Sequence, residues 1–219
     1  MQIAIDGPAG AGKSTIAKIL ADKLGYIYID TGAMYRAVTY LALQKGTSSD
    51  AGMELAKIAA EMDFQFVLVG AGRQIVICDG KDITEEIRDP RVSHKVSMIS
   101  SHREVRQELV KKQQELANNR DVVMDGRDIG TVVLPEAECK IYLTADSDER
   151  TRRRYNELLG KGFAGSYDDI KKDIFKRDEQ DKTRTVDPLR PAWDAIIVDT
   201  TGVSLEEVVV RIMKILSKS

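Results

Sequence analysis

An α/β fold built on a doubly wound, five-stranded parallel sheet is predicted by three features of the sequence. Short apolar runs that end in an acid or Thr alternate with stretches of 3.6-residue periodicity. A glycine-rich turn directly follows the first run, between a strand-like and a helix-like segment. One internal stretch, Phe64 to Ile77, changes to a period of two, the mark of an antiparallel hairpin inserted into an otherwise alternating chain.

Taken in order, Ile3-Ala4-Ile5-Asp6 is the first strand and Gly7 to Gly12 the turn. Ile16, Ile19, Leu20 and Leu24 then recur at helical spacing until Gly25. Tyr26 to Asp30 reads as a second buried strand, followed by a helix from about Ala33 to Gln44 that ends at Gly46. Ser48, Ser49 and Asp50 are expected to cap a helix running through Glu61. Phe64, Phe66 and Leu68, the turn Gly70-Ala71-Gly72, and Ile75 and Ile77 form the hairpin, with a short third strand near Lys81 to Thr84. One long polar helical region is expected from Arg91 to about Asn118. Asp121 to Asp125, Lys140 to Thr144 and Ala195 to Asp199 supply the remaining core strands. Between the last two lie an arginine run, Arg150 to Arg154, a break at Gly160 to Gly165, and a helix from Tyr167 to Lys182. Ser204 to Leu216 is an amphipathic helix whose apolar stripe packs on the core.

The chain has 219 residues, 42% hydrophobic and 31% charged, enough to bury a core as one domain with excursions. A net charge of −2 gives a nucleic-acid or membrane-surface role no electrostatic support. The arginine run does not change this, since consecutive helical residues splay around the axis and about two can face one ligand. Cys78 and Cys139 lack metal-like or redox-like spacing and are expected as buried thiols in a cytoplasmic protein. No apolar stretch reaches membrane-spanning length, and because Met1 runs almost directly into the first strand no signal peptide is expected.

The turn carries the chemistry. Gly7-x-x-x-x-Gly12-Lys13-Ser14, after a strand and before a helix, is a phosphate-binding loop, so Gly7, Pro8, Ala9, Gly10, Ala11, Gly12, Lys13, Ser14 and Thr15 form the nucleoside triphosphate site. Its glycines let successive N–H groups converge on phosphate oxygens at the positive end of the helix. Lys13 reaches the β- and γ-phosphates, and the Ser14 hydroxyl ligates Mg²⁺. Asp125, closing an apolar strand, is the acid expected to hold the metal directly or through water.

Three further clusters supply cations: Tyr35 with Arg36, Asp125-Gly126-Arg127-Asp128, and Arg177, Asp181 and Arg184 spaced four and three apart on one helix face. The last could be a simple salt-bridge stripe. Together they suit a second phosphate monoester, because arginine clamps phosphate with two parallel bonds. An ATPase or switch protein has no use for a second anion site of this size. A kinase with a phosphorylated acceptor does, and it needs no general base. His94 and His102 lack any triad-like setting, which agrees.

At these motifs the chain resembles the bacterial cytidylate kinases, P-loop enzymes of the nucleoside monophosphate kinase class. The stretches are IDGPAGAGKST (5–15), DTGAMYRA (30–37), VSMISSHREVRQ (96–107), MDGRDIGT (124–131) and RDEQDKTR (177–184), with the hairpin insertion. The resemblance implies a P-loop kinase domain with core segments 1–32, 105–149 and 177–219. It also implies a β-hairpin and helical monophosphate-binding insertion at 33–104 and a small helical lid at 150–176. It implies transfer of the γ-phosphate of ATP to CMP or dCMP by a cytoplasmic monomer. Lys13, Arg127, Arg184, Arg153 and Arg154 would stabilise the transferred group, the last two from the lid. Ser97, Arg106 and Asp128 would read cytosine; Tyr35, Arg36, Arg127 and Arg184 would hold the α-phosphate; Arg177 and Asp181 would lie around the sugar and phosphate. Asp125 counts with the CMP set as well, and Mg²⁺ would take Ser14 directly and Asp30 and Asp125 through water. Ala9 stands where other members carry Ser, with little consequence expected because the loop works through its backbone. His102 and Arg103 receive no role. The rivals are a UMP, AMP or shikimate-type kinase on the same fold, a regulatory P-loop switch, which would need an Asn-Lys-x-Asp motif that the sequence lacks, and a nucleic-acid-binding ATPase.

Overall fold

A computed structural model describes residues 1–70, 73–160, 162 and 165–217. Its contacts divide the chain into two compact units, 1–28 with 119–217, and 29–118. Ala71 and Gly72 of the hairpin turn, and Lys161, Phe163 and Ala164 of the expected break, lie outside the described residues.

The first unit is organised around β1 (Gln2–Asp6). β6 (Val122–Asp125) and β7 (Cys139–Thr144) run parallel on either side of it, with Ile3 opposite Val123 and Cys139, and Ile5 opposite Asp125 and Ile141. β8 (Ile196–Asp199) pairs parallel with β7, and β2 (Ile27–Asp30) completes the order β2-β6-β1-β7-β8. The strands next to β1 are buried along almost their whole length because helices cover both faces of such a sheet. The expectation of a buried second strand holds for Tyr28 and Ile29 but not for Ile27, which is 45% exposed because β2 is an edge strand. Each strand nonetheless ends on the residue expected, Asp6, Asp30, Asp125 and Thr144, at the carboxyl edge where open α/β sheets bind ligands.

Four helices belong to this unit: α1 (Lys13–Leu24), α6 (Ser147–Gly160), α7 (Tyr167–Thr183) and α8 (Leu205–Leu216). Ile16, Ala17 and Leu20 of α1 and Val208, Val209 and Ile212 of α8 close one core with Ile3, Ile5, Val123, Ile141 and Leu143. Ser204 and Glu207 form a reciprocal capping box that starts α8. α7 ends at Thr183, so Arg184 lies beyond the helix with extended backbone rather than on its face.

The second unit holds α2 (Thr31–Lys45), α3 (Gly52–Glu61), the antiparallel strands β3 (Phe64–Val69), β4 (Arg73–Cys78) and the two-residue β5 (Lys81–Asp82), then α4 (Pro90–Ile99) and α5 (Arg103–Ala117). Its core joins Met34, Val38, Leu55, Val76, Ile87, Ile99 and Leu109. Two expectations fail here for the same reason. The single helix from 91 to 118 is broken, because the Ser100 and Ser101 hydroxyls donate to the carbonyls of Ser97 and Met98 and His102 adopts extended backbone. Ser48 does not cap α3; its hydroxyl accepts from the Asp50 N–H in a local turn, and α3 starts after Ala51 without a side-chain cap. Cys78 and Cys139 are buried free thiols, and burial pushes each up to about 11.

Candidate active site

The phosphate-binding loop is shaped by backbone conformations that only glycine adopts freely. Gly7, Gly10 and Gly12 have φ of 146°, 76° and 90°. A Cβ on Gly7 would stand 2.0 Å from the Leu143 carbonyl oxygen of the neighbouring strand. Gly7→Ala is therefore expected to cost at least about 2–3 kcal/mol and to raise the ATP KM tenfold or more. Thermal melting and a KM measurement check it, and an unshifted melt with a normal KM would contradict the loop's packing.

α1 begins at this loop with no side-chain cap and no acid in its first turn, so its positive end is left for an anion. Lys13 is 6% exposed and its Nζ donates to the Pro8 carbonyl at 2.8 Å. Burial above all, then Arg127, pulls its ammonium down to about 7, against the opposing pull of Asp125; Arg177 lowers it further. The loop lysine, Arg127 and Arg177 thus share one electrostatic field.

Asp125 is buried and accepts on both oxygens, from the Ser14 hydroxyl at 2.8 Å and from the Tyr28 hydroxyl at 2.8 Å. This exposed hydroxyl beside a carboxylate is an all-oxygen donor set, which fits Mg²⁺. Among the described residues no group of three or more His, Cys, Asp or Glu side chains could hold a metal alone, so a hard ion here would share its coordination with phosphate and water.

The arginines and acids of the same unit meet in pairs. Arg127 Nε donates to Asp181 at 2.8 Å, and Arg184 approaches Asp128 at 3.3 Å while its Nε donates to the Asp187 carbonyl at 2.6 Å. Burial pushes the Asp181 carboxyl up, but Arg127 and Arg177 outweigh it, with help from Arg184, and hold it below the usual range. In α6, Arg153 donates to Glu149 and to both oxygens of Thr200, while Arg154 donates to Glu157 at 2.8 Å. A Cβ on Gly12 would come within 3.8 Å of the Arg153 guanidinium, so Arg153 does stand at the loop.

In the second unit, Asp30 caps α2 through the Ala33 N–H and pairs with Arg36 at 2.9 Å, while the buried Arg36 Nε has no hydrogen-bond partner among the described residues. Arg106 is the largest fully buried side chain, at 2% exposure; it donates to the Ser100 carbonyl at 3.2 Å and lies over the Tyr35 ring. Ser97 is half-buried on α4, with its carbonyl accepting from Ser100.

A guanidinium buried to this degree is rare unless it is paired. The family model described as cytidylate kinase matches residues 3–218. The chain belongs to the cytidylate kinase family. The cytidylate kinases of Caldicellulosiruptor bescii and Carboxydothermus hydrogenoformans are 53% and 50% identical to it, each covering 100% of this chain and 96% and 98% of those proteins. That of Bacillus cereus (strain ATCC 10987 / NRS 248) is 49% identical over 99% of this chain and 96% of its own length. Among solved structures, an uncharacterised protein from Eubacterium ventriosum superposes with a TM-score of 0.55 at 13% identity, covering 100% and 99% of the two chains, and shares the fold alone. The resemblance read from the motifs is borne out, and the chain is a phosphotransferase. Among the described residues, no helix is long and apolar enough to cross a membrane.

Three residues of this cytidylate kinase escaped the motif reading. Asp178 is buried, accepts from the Ala9 N–H at 3.2 Å and forms an ion pair with Arg150, which also donates to the carbonyls of Ala9 and Ala145 at 3.0 Å each. A signal existed. Ile170, Ile174, Asp178 and Asp181 make one buried stripe on α7, so two acids occupy core positions of an amphipathic helix. Thr200, bonded to Arg153 and to the Ala11 and Thr144 carbonyls, had none, because it follows a strand with no motif around it.

Proposed function

We propose that this cytidylate kinase transfers the γ-phosphate of ATP to CMP or dCMP by in-line displacement, without a general base. An oxygen of the acceptor's phosphate attacks the γ-phosphorus, the bond to the β–γ bridging oxygen breaks, and ADP leaves with that electron pair. The observation that supports this most directly is the shared field of Lys13, Arg127 and Arg177. Cations assigned to the acceptor act on the lysine assigned to the donor, as transfer between two phosphates requires.

Residue by residue, the loop 7–15 would cradle the triphosphate, and Arg153 and Arg154 would add charge from the segment 150–176, acting as a lid. Tyr35, Arg36, Arg127 and Arg184 would hold the acceptor phosphate, with Arg177, Asp181 and Asp125 around it. Bound Mg²⁺ neutralises charge on the β- and γ-oxygens; Ser14 would hold it directly, and Asp125 and Asp30 through water. Ser97 and Asp128 would accept from the cytosine N4 amino group, and Arg106 would donate to N3. Uracil would present an acceptor to the Asp128 carboxylate, leaving both polar groups mismatched. The segment 33–104 would act as the monophosphate-binding insertion. The enzyme is read as a cytoplasmic monomer without a nucleic-acid partner.

A nucleoside monophosphate panel with ATP and Mg²⁺ tests the assignment. CMP and dCMP are expected to outpace UMP, AMP and GMP, and AMP or GMP leading would end it. Arg106→Met or Asp128→Ala removes a charge-assisted bond of about 1.5–3 kcal/mol, so each is expected to raise the CMP KM about tenfold or more and narrow the CMP-to-UMP ratio. An unchanged ratio in both variants would take them out of base recognition.

A further inference from the structure

Asp6 ends β1 directly before the phosphate-binding loop, is 4% exposed, and has no part in the transfer step described above. Its two carboxylate oxygens accept separate backbone bonds, one from the Ile129 N–H and one from the Gly130 N–H, both at 2.8 Å. The residue before it adds a third anchor, since the Ile5 carbonyl accepts from the Gly126 N–H at 3.0 Å. The segment 126–130 is therefore fastened at both ends to the last two residues of β1. Only Arg127 and Asp128 lie between the fastenings, and the wide turn that starts at Ile129 follows them, its Val132 and Val133 N–H groups donating back to the Asp128 carbonyl.

Position 6 could be filled by any residue able to close a strand. A buried acid is a costly choice unless its acceptors are used, and here both are used on the two amides after Asp128. Around it, burial pushes the Asp6 carboxyl up to about 7; the Gly130 and Ile129 N–H groups and Lys13 pull it down, and Asp128 pushes it up. The carboxylate is held in place by those two amides, and a side chain with only one acceptor would release one of them.

We propose that Asp6 is a positioning residue for the acceptor nucleotide: by gripping the Ile129 and Gly130 amides it fixes the direction in which Arg127 and Asp128 project. The inference rests on the acceptor roles proposed for those two residues. It ties base and phosphate recognition to the strand end from which the donor loop also starts, so one buried carboxylate keeps the two halves of the reaction in register.

Asp6→Asn tests this, because the amide nearly matches the carboxylate in shape but turns an N–H toward one of the two donors. The CMP KM is expected to rise tenfold or more and the CMP-to-UMP ratio to narrow, with the ATP KM within twofold of the parent. An unchanged CMP KM and ratio would overturn the inference, and so would equal rises in both KM values, the mark of a merely structural role. Should the variant fail to melt cooperatively, hydrogen exchange on the unaltered enzyme decides. The Ile129 and Gly130 amides are expected to exchange at least fivefold more slowly with CMP bound and to be unchanged by ATP alone; indifference to CMP would overturn it. The unaltered enzyme's own monophosphate panel separates the two levels. If it does not favour CMP the acceptor assignment fails, whereas if it does and Asp6→Asn changes nothing, only this inference fails.

Discussion

Lys13→Met is expected to lower kcat by about 10²–10³-fold, the cost typical of removing one preorganised cationic or hydrogen-bonding partner of a developing charge. The structure explains why no neighbouring cation would replace it. Arg127 is committed to Asp181, Arg184 to Asp128 and Asp187, and Arg153 to Glu149 and Thr200. Lys13 itself donates to the Pro8 carbonyl in its own loop, a bond that a phosphate oxygen can displace. Its lowered pKa adds a second observable. With burial, Arg127 and Arg177 pulling it down to about 7, the lysine is expected to be partly neutral at pH 8 in the free protein. A bound triphosphate favours the ammonium and raises that pKa, so binding must take up a proton above pH 7. Calorimetric titration of ATP at pH 8 in two buffers of different ionisation enthalpy is expected to show proton uptake by the parent and much less by Lys13→Met. Equal uptake by both would mean that the lysine does not titrate on binding.

Arg150→Met is expected to destabilise the enzyme by about 3–5 kcal/mol, since it strands the buried Asp178 carboxylate. For a chain of this length that corresponds to a melting shift of roughly 6–20 °C. The Arg150 and Asp178 side chains are 10% and 5% exposed, so water does little to compensate. The pair also grips Ala9 from both sides, with the N–H given to Asp178 and the carbonyl receiving from Arg150. The ATP KM is therefore expected to rise along with the loss of stability. Asp178→Leu combined with Arg150→Met removes both charges and is expected to recover part of the melting temperature but not the ATP KM. A double variant no more stable than Arg150→Met would show that the pair contributes packing rather than charge balance.

This outcome also bears on how the arginine run is read. Sequence alone shows five residues, four of them arginine, on a helix, of which about two can face any ligand. In the folded chain they divide by neighbour. Arg150 is buried against Asp178 and the loop backbone, Arg152 pairs on the surface with Glu149, Arg153 reaches Thr200, and Arg154 turns to Glu157. Helical spacing cannot assign these partners, because Asp178 and Thr200 come from distant parts of the chain. The clustered arrangement expected of Arg177, Asp181 and Arg184 was similarly altered. The helix stops at Thr183, which frees Arg184 to turn toward Asp128.

Local chemistry was enough for much else. Strand ends, the phosphate-binding loop, the antiparallel hairpin and the C-terminal helix are each specified within about fifteen consecutive residues, by hydrophobic period and by glycine where φ must be positive. The motifs around them sufficed to name the family before any fold was known. What only tertiary structure decided were features that depend on competition or long-range pairing. The break at Ser100 to His102 arises because serine hydroxyls compete for helix carbonyls, and the exposure of Ile27 in β2 and of Ile196 and Ile197 in β8 follows from the places of these strands at the sheet edges. The use of Asp6 and Asp178 belongs here as well. An acid's partners are fixed by whichever backbone amides and guanidinium groups the fold brings to it, and for these two the backbone amides lie more than a hundred residues away in sequence.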